Sequence, residues 1–221
     1  MSATSPHAVT VPPASGAPTQ PLQHAPGALD PRAVAAIVRP RGRDLSGAEL
    51  QAFVTELADR PELWIHLVKH DTTQRVYEEL LSDEHVTAWL ICWMDEHDTG
   101  FHDHDVSCGA VAVVSGAVRE ERLAIDGPTR NGVFKAGASF HFSASDIHRV
   151  SHSGADPAVT LHVYSPPLLR MGAYEIGDDG VLARHTMSYE QELRPLSQHG
   201  GGEAGTGEAG GGQRAGGGAA G

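Results

Sequence analysis

Apolar positions follow two rhythms along this chain, and the change falls near residue 85. In the first stretch Leu50, Phe53, Val54 and Leu57 recur at helical spacing, which predicts an amphipathic helix over 47–58. Ser46 and Glu49 stand where a capping box would close its first turn. Pro61 suits the start of a second short helix, with Leu63, Trp64, Leu67 and Val68 on its apolar side, and a third helical stretch is expected at 75–81. From residue 86 the runs Val86–Met94, Gly109–Ser115, Val118–Ile125, Val133–Lys135, Ser139–Phe142, His148–His152 and Val159–Ser165 are short and rich in β-branched or aromatic residues. Turn signals separate them, among them Asp98-Thr-Gly100, Ser115-Gly116, Ala136-Gly137 and Ser153-Gly-Ala-Asp-Pro157. Short strands at close turn spacing predict a mainly β chain, an antiparallel sandwich or barrel behind two or three short helices. No internal repeat is present.

The ends differ from this middle. Residues 1–45 are dominated by Ala, Pro, Ser, Thr and Gly, and 197–221 almost wholly by Gly, Ala, Glu and Gln. Neither offers enough apolar surface to offset the entropy of ordering it, so both are expected to be disordered tails. The expected folded unit is 46–196, a helical preface over 46–84 and a barrel over 85–175. The formal charge of −12 argues against nucleic acid or an anionic membrane as the main partner. The N-terminus lacks a basic start followed by an apolar run, and no stretch reaches the length of a membrane span, so neither a signal peptide nor a membrane anchor is expected. Only Cys92 and Cys108 are present, which is no disulfide framework and makes a reducing cytoplasm the expected setting.

Histidine is the unusual feature, at 14 residues. His102-Asp103-His104 would place two imidazoles on one face of an extended segment, within reach of a single metal. Alone, an HxH in so histidine-rich a chain is as readily a surface accident. Farther on, Thr160, His162 and Tyr164 alternate with Val159, Leu161 and Val163. Periodicity does not say which set faces the core: the polar set could line a wet cavity, or face solvent above an aliphatic interior.

Gly109, Ser115-Gly116 and, after Gly137, His148-Arg-Val-Ser-His152 resemble the landmarks of the cupin barrels, in which a second motif contributes one further ligand histidine. The usual cupin glutamate after the HxH is replaced by Gly109. Three neutral histidines leave a divalent ion its full charge, which favours an anionic ligand such as a thiolate, and the small glycine would leave room near the metal. The strings Ile91-Cys-Trp93, His102-Asp-His104, Ile147-His-Arg-Val150 and Leu161-His-Val-Tyr-Ser-Pro-Pro167 make 75–174 resemble the cysteine dioxygenases, thiol dioxygenases of the cupin superfamily.

The resemblance implies a cupin-type small β-barrel, an Fe²⁺ cofactor, and a reaction that adds both atoms of O₂ to a thiol sulfur. It implies His102, His104 and His148 as iron ligands and Tyr164 as the phenol beside the iron. His162 would orient that phenol, with Thr160 behind it, and Arg75 would fix the substrate carboxylate. The tyrosine-linked cysteine of many animal members would fall at Gly109, so no crosslink is expected, and Cys108 next to it would point the other way. The asparagine expected four residues after the third ligand is His152. Trp89, Trp93 and Cys92 read as packing residues and Arg149 as a surface charge. L-cysteine is the expected substrate of a monomeric enzyme. Two alternatives stay open: 3-mercaptopropionate, if Gln74 takes the place of Arg75, and a metallocupin that is no dioxygenase.

Overall fold

A computed structural model describes residues 31–37, 39–124, 128–176 and 182–188; of the tails expected over 1–45 and 197–221, residues 1–30 and all of 197–221 lie outside the described residues. A short helix α1 (Pro31–Ala35) precedes α2 (Gly47–Ala58). In α2 the Ser46 side chain caps the Glu49 amide while Glu49 reaches back to Ser46, the reciprocal box read from the sequence. Pro61 opens two single 3₁₀ turns, Pro61–Leu63 and Ile65–Leu67, in place of the expected second helix.

Among the described residues eleven strands follow: β1 (Val76–Ser82), β2 (Thr87–Trp93), β3 (Phe101–Asp103), β4 (Cys108–Ser115), β5 (Ala117–Arg122), β6 (Arg130–Lys135), β7 (Ser139–Phe142), β8 (His148–His152), β9 (Ala158–Ser165), β10 (Arg170–Ile176) and β11 (Leu182–Ser188). They form a five-stranded sheet, β1-β2-β9-β4-β7, and a six-stranded sheet, β11-β10-β3-β8-β5-β6. Every pairing between named strands is antiparallel.

The five-stranded sheet is covered on both faces. Its outer face carries Ala88, Leu90, Ala110, Ala112, Val159, Leu161 and Val163, packed beneath Leu50, Phe53, Val54 and Leu57 of α2. Its inner face carries Ile91, Trp93, Val111, Val113 and Tyr164, in one cluster with Val118, Val150, Phe140 and Phe142. Strands buried on both sides explain why β2 and β9 have no exposed residue. The chain crosses from β4 in one sheet to β5 in the other at Gly116, whose φ is +65° and where a Cβ would lie 2.6 Å from the Pro157 carbonyl oxygen.

Three expectations need correction. The segment 75–81 is strand, not helix: β1 pairs with β2, and a register shift between Glu79 and Leu81 lets consecutive Leu80 and Leu81 both be buried. Adjacent buried leucines imitate helical spacing, and the pairing overrides the helix preference of Glu and Leu. Packing also begins before residue 46, since Val34, Ile37 and Leu45 join the cluster beneath α2. These three are too sparse in a Pro- and Ala-rich stretch to signal a core. Strands also continue past 175, because β11 pairs with β10 along its whole length. Among the described residues no helix is long and apolar enough to cross a membrane.

Candidate metal centre and its surroundings

β3 brings His102 and β8 brings His148 to opposite positions in one antiparallel register, and His104 follows two residues after His102. Their ligand atoms all lie within 4.8 Å of one another, and all three residues are buried. Both ring nitrogens of His104 and Nε2 of His148 have no hydrogen-bond partner. Unpaired buried polar atoms are costly, and one such nitrogen from His104 and one from His148, grouped with a nitrogen of His102, fit a bound cation. Burial pushes His104 and His148 well below the usual imidazole range, reinforced by neighbouring histidines, so both imidazoles are neutral. A set of three imidazole nitrogens suits Fe²⁺, Zn²⁺ or Ni²⁺.

The segments that carry the histidines are braced. The Gly100 carbonyl meets His102 Nδ1 at 3.0 Å, and Glu120 Oε1 meets His148 Nδ1 at 2.8 Å. Glu120 is buried on β5 and also accepts from Arg122 Nε at 2.9 Å. Burial pushes its carboxyl up, against the opposing pull of Arg122. Asp103, between the two histidines of the HxH, accepts from Tyr174 at 2.6 Å, from Arg184 Nε at 2.7 Å and Nη2 at 2.8 Å, and from the Asp105 amide at 2.9 Å. Burial would raise Asp103, but Arg184 and Tyr174 outweigh it and hold the carboxyl well below the usual range. Arg184 lies over Gly172, where a Cβ would fall 2.2 Å from its Nε. The bare glycine of β10 is what lets an arginine of β11 cross to β3.

Across from the histidines, Thr160, His162 and Tyr164 face inward while Val159, Leu161 and Val163 face α2. Neither side of β9 is open to solvent, which is why alternation alone left the choice open. Trp93 Nε1 donates to Thr160 Oγ1 at 2.8 Å, Thr160 Oγ1 meets His162 Nε2 at 2.8 Å, and His162 Nδ1 meets the Tyr164 hydroxyl at 3.2 Å. The polarity of this chain follows from the partners available. An indole N–H can only donate, and the buried Thr160 hydroxyl has one acceptor in reach, His162 Nε2. The proton of His162 then sits on Nδ1 and points at the Tyr164 oxygen, which leaves the phenol hydrogen to be donated elsewhere. Burial pushes His162 down to about 3, with His102 and Arg75 contributing, so it is neutral.

Arg75 immediately precedes β1 and is buried, its guanidinium 5.5 Å from the Trp93 ring centroid, whereas Gln74 is exposed. Ile91, Trp93, Thr99 and Val150 join the three histidines, His162 and Tyr164 around a small enclosed cavity. A larger hollow beside α2, at Gln51 and Thr55, is open and lies away from these groups.

Gly109 leaves no room near the histidines. A Cβ there would lie 2.3 Å from Phe142, whose ring stacks on His104 at 4.4 Å between centroids. The expectation of free space is therefore corrected: Phe142 fills it. Cys108 packs on the outer side, where its Sγ meets the Leu45 and Ser165 carbonyls at 3.4 and 3.2 Å. His152 lies 3.0 Å from Asp95 through Nδ1. Arg149 is paired, its Nε 2.7 Å from Asp98.

Sequence reasoning missed Glu120, the Asp103–Arg184–Tyr174 cluster and the donor role of Trp93. One signal for Glu120 was present: it shares a strand face with Val118, an acidic residue two positions from a core one. Arg184 gave none, because a pairing 81 residues long in sequence leaves no local trace.

The sequence model of the family described as cysteine dioxygenase type I matches residues 32–176. The Bos taurus protein cysteine dioxygenase type 1 is 26% identical over 164 residues, covering 66% of this chain and 81% of that protein. The Danio rerio protein of the same name is 29% identical over 134 residues, covering 54% of this chain and 65% of its own. Among solved structures, an uncharacterised Klebsiella pneumoniae protein with a double-stranded β-helix domain gives a TM-score of 0.40 at 15% identity, over 54% of this chain and 90% of that one.

Proposed function

The chain belongs to the cysteine dioxygenase type I family, and on that premise we propose that it is an Fe²⁺-dependent dioxygenase that converts L-cysteine to its sulfinate. The observation that carries this reading is the pairing, across one cavity, of three buried histidines with the directional Trp93–Thr160–His162–Tyr164 chain. His102, His104 and His148 would hold the iron, which when bound supplies the one-electron chemistry that O₂ needs to react with a thiolate.

The other residues bind and orient. Arg75 offers a planar two-pronged contact to the substrate carboxylate, and its burial beside Trp93 supports it over exposed Gln74 for that role. Tyr164 presents its hydroxyl hydrogen to the substrate or oxygen, because His162 Nδ1–H already occupies its oxygen lone pair. Thr160 and Trp93 fix the tautomer of His162. The apolar walls Ile91 and Val150 exclude water from the reacting sulfur. The two free thiols Cys92 and Cys108 suit a cytoplasmic setting, and a monomer is proposed with it.

The test is anaerobic Fe²⁺ loading followed by oxygen uptake with L-cysteine, cysteamine and 3-mercaptopropionate. L-cysteine should give the highest kcat/KM, and Arg75→Ala should raise its KM strongly while hardly changing the slow turnover of cysteamine, which has no carboxylate. A higher kcat/KM for 3-mercaptopropionate would overturn the substrate assignment.

A further inference from the structure

The metal-facing histidines lack the carboxylate that usually completes a cupin site, yet a buried carboxylate stands one imidazole away. Glu120 Oε1 lies 2.8 Å from His148 Nδ1. The glutamate is only 5% exposed and His148 only 1% exposed, so water does not compete for this contact. Glu120 and His148 sit on neighbouring strands, β5 and β8, with Glu120 opposite Val150 and His148 opposite Arg122. Arg122 links Glu120 to Asp146, at 2.9 and 3.1 Å, and caps the His141 carbonyl at 2.6 Å. Glu120, Arg122 and Asp146 carry one net negative charge as a group, and its end at Glu120 abuts the ligand ring.

We infer that Glu120 is a positioning residue for the metal, which sets the ring orientation and tautomer of His148 and passes negative charge to the ion through that ring. This rests on the reading of His102, His104 and His148 as ligands. With Nδ1–H donated to Glu120, only Nε2 is left to ligate, and it is the nitrogen with no partner in the structure. A neutral imidazole hydrogen-bonded to a carboxylate gains basicity at its other nitrogen and holds a metal more firmly. His102 has a backbone carbonyl at Nδ1, and His104 has no partner at either nitrogen. The contact at His148 Nδ1 is thus a carboxylate charge set directly against one of the three rings. A purely structural Glu120 would serve only its ion pair with Arg122. That role predicts a loss of thermal stability and no change at the metal.

The full-length protein separates these roles through Glu120→Ala and Glu120→Gln, each titrated anaerobically with Fe²⁺ against a competing chelator. Thermal melts of the metal-free proteins check the fold. Wild type binding one Fe²⁺ per chain, and losing it in His148→Ala, tests the ligand reading independently of Glu120. Glu120→Ala should then weaken Fe²⁺ binding by about ten- to a hundred-fold. Glu120→Gln keeps an oxygen acceptor for Nδ1–H but removes the charge. It should bind Fe²⁺ more tightly than Glu120→Ala but more weakly than wild type and show a higher Fe³⁺/Fe²⁺ midpoint potential, because less negative charge stabilises the ferric form. Glu120→Ala binding Fe²⁺ as tightly as wild type, with no change of potential in Glu120→Gln, would overturn the inference while leaving the histidine ligands in place.

Discussion

The two faces of the five-stranded sheet are made by alternate residues of the same strands, and they are held by different physics. On the outer face of β9, Val159, Leu161 and Val163 are fully buried against α2, and their contribution is apolar area and close packing. On the inner face Thr160, His162 and Tyr164 are as deeply buried, but each is tied to the next by a hydrogen bond of fixed direction. A substitution on the first face changes how well the chain folds. One on the second changes what the folded chain can donate, and to what. Burial alone does not distinguish structure from chemistry here; the presence of a directional partner does.

The largest expected effect lies on the outer face. Leu161→Ala should cost about 2–5 kcal/mol of stability by leaving a cavity under α2, read as a shift in the urea midpoint. The kcat of the fraction still folded should stay near wild type. A large fall in kcat with little loss of stability would break the division between the faces. On the inner face the pattern should reverse. Tyr164→Phe should lower kcat by about ten- to a hundred-fold, with a stability loss of only about 1 kcal/mol from the unpaired His162 Nδ1–H, since the ring keeps its packing.

A third effect sharpens the comparison through pH. His162 titrates near 3 in the fold and near 6.5 when unfolded, so between those values the unfolded chain binds a proton that the native one does not. Stability of the metal-free protein should therefore be lost as pH falls from 6.5 towards 3, at about 1.4 kcal/mol per pH unit from this residue. His162→Gln should flatten that slope in urea titrations at successive pH values, whereas Leu161→Ala should lower the curve without changing its slope. Equal slopes in wild type and His162→Gln would show that burial of this imidazole contributes nothing. The smallest effect belongs to Thr160→Ser, which keeps the hydroxyl. Its kcat should lie within about threefold of wild type, while Thr160→Val leaves both Trp93 Nε1–H and His162 Nε2 unpaired and should approach the Tyr164→Phe value.

Much of this was legible in the chain. Helix 47–58 with its Ser46–Glu49 box, and strands such as Ser139–Phe142 and His148–His152, coincide with the observed elements because their signals are local. β1 was not legible, since Val76-Tyr-Glu-Glu-Leu-Leu-Ser82 is strand only by virtue of its pairing with β2. β10 and β11 escaped notice for a related reason: β11 is largely exposed and shows no apolar alternation. At the site, residue types and spacing singled out His102, His104 and the Thr160–Tyr164 string, and the resemblance to a family added His148 and Arg75. The structure brings the three histidines to one point opposite Tyr164. The supports of that arrangement lie in tertiary pairings, of Glu120 with His148 and of Arg184 with Asp103, that no linear spacing encodes.

The most direct test of the proposed chemistry is isotopic. Iron-loaded protein is given L-cysteine under ¹⁸O₂ in ordinary water, and the product is read by mass spectrometry. Dioxygenation predicts cysteine sulfinate with both sulfinate oxygens labelled and one O₂ consumed per product formed, and none of this product from the His148→Ala protein. Cystine as the only product, or a sulfinate carrying a single labelled oxygen, would contradict it.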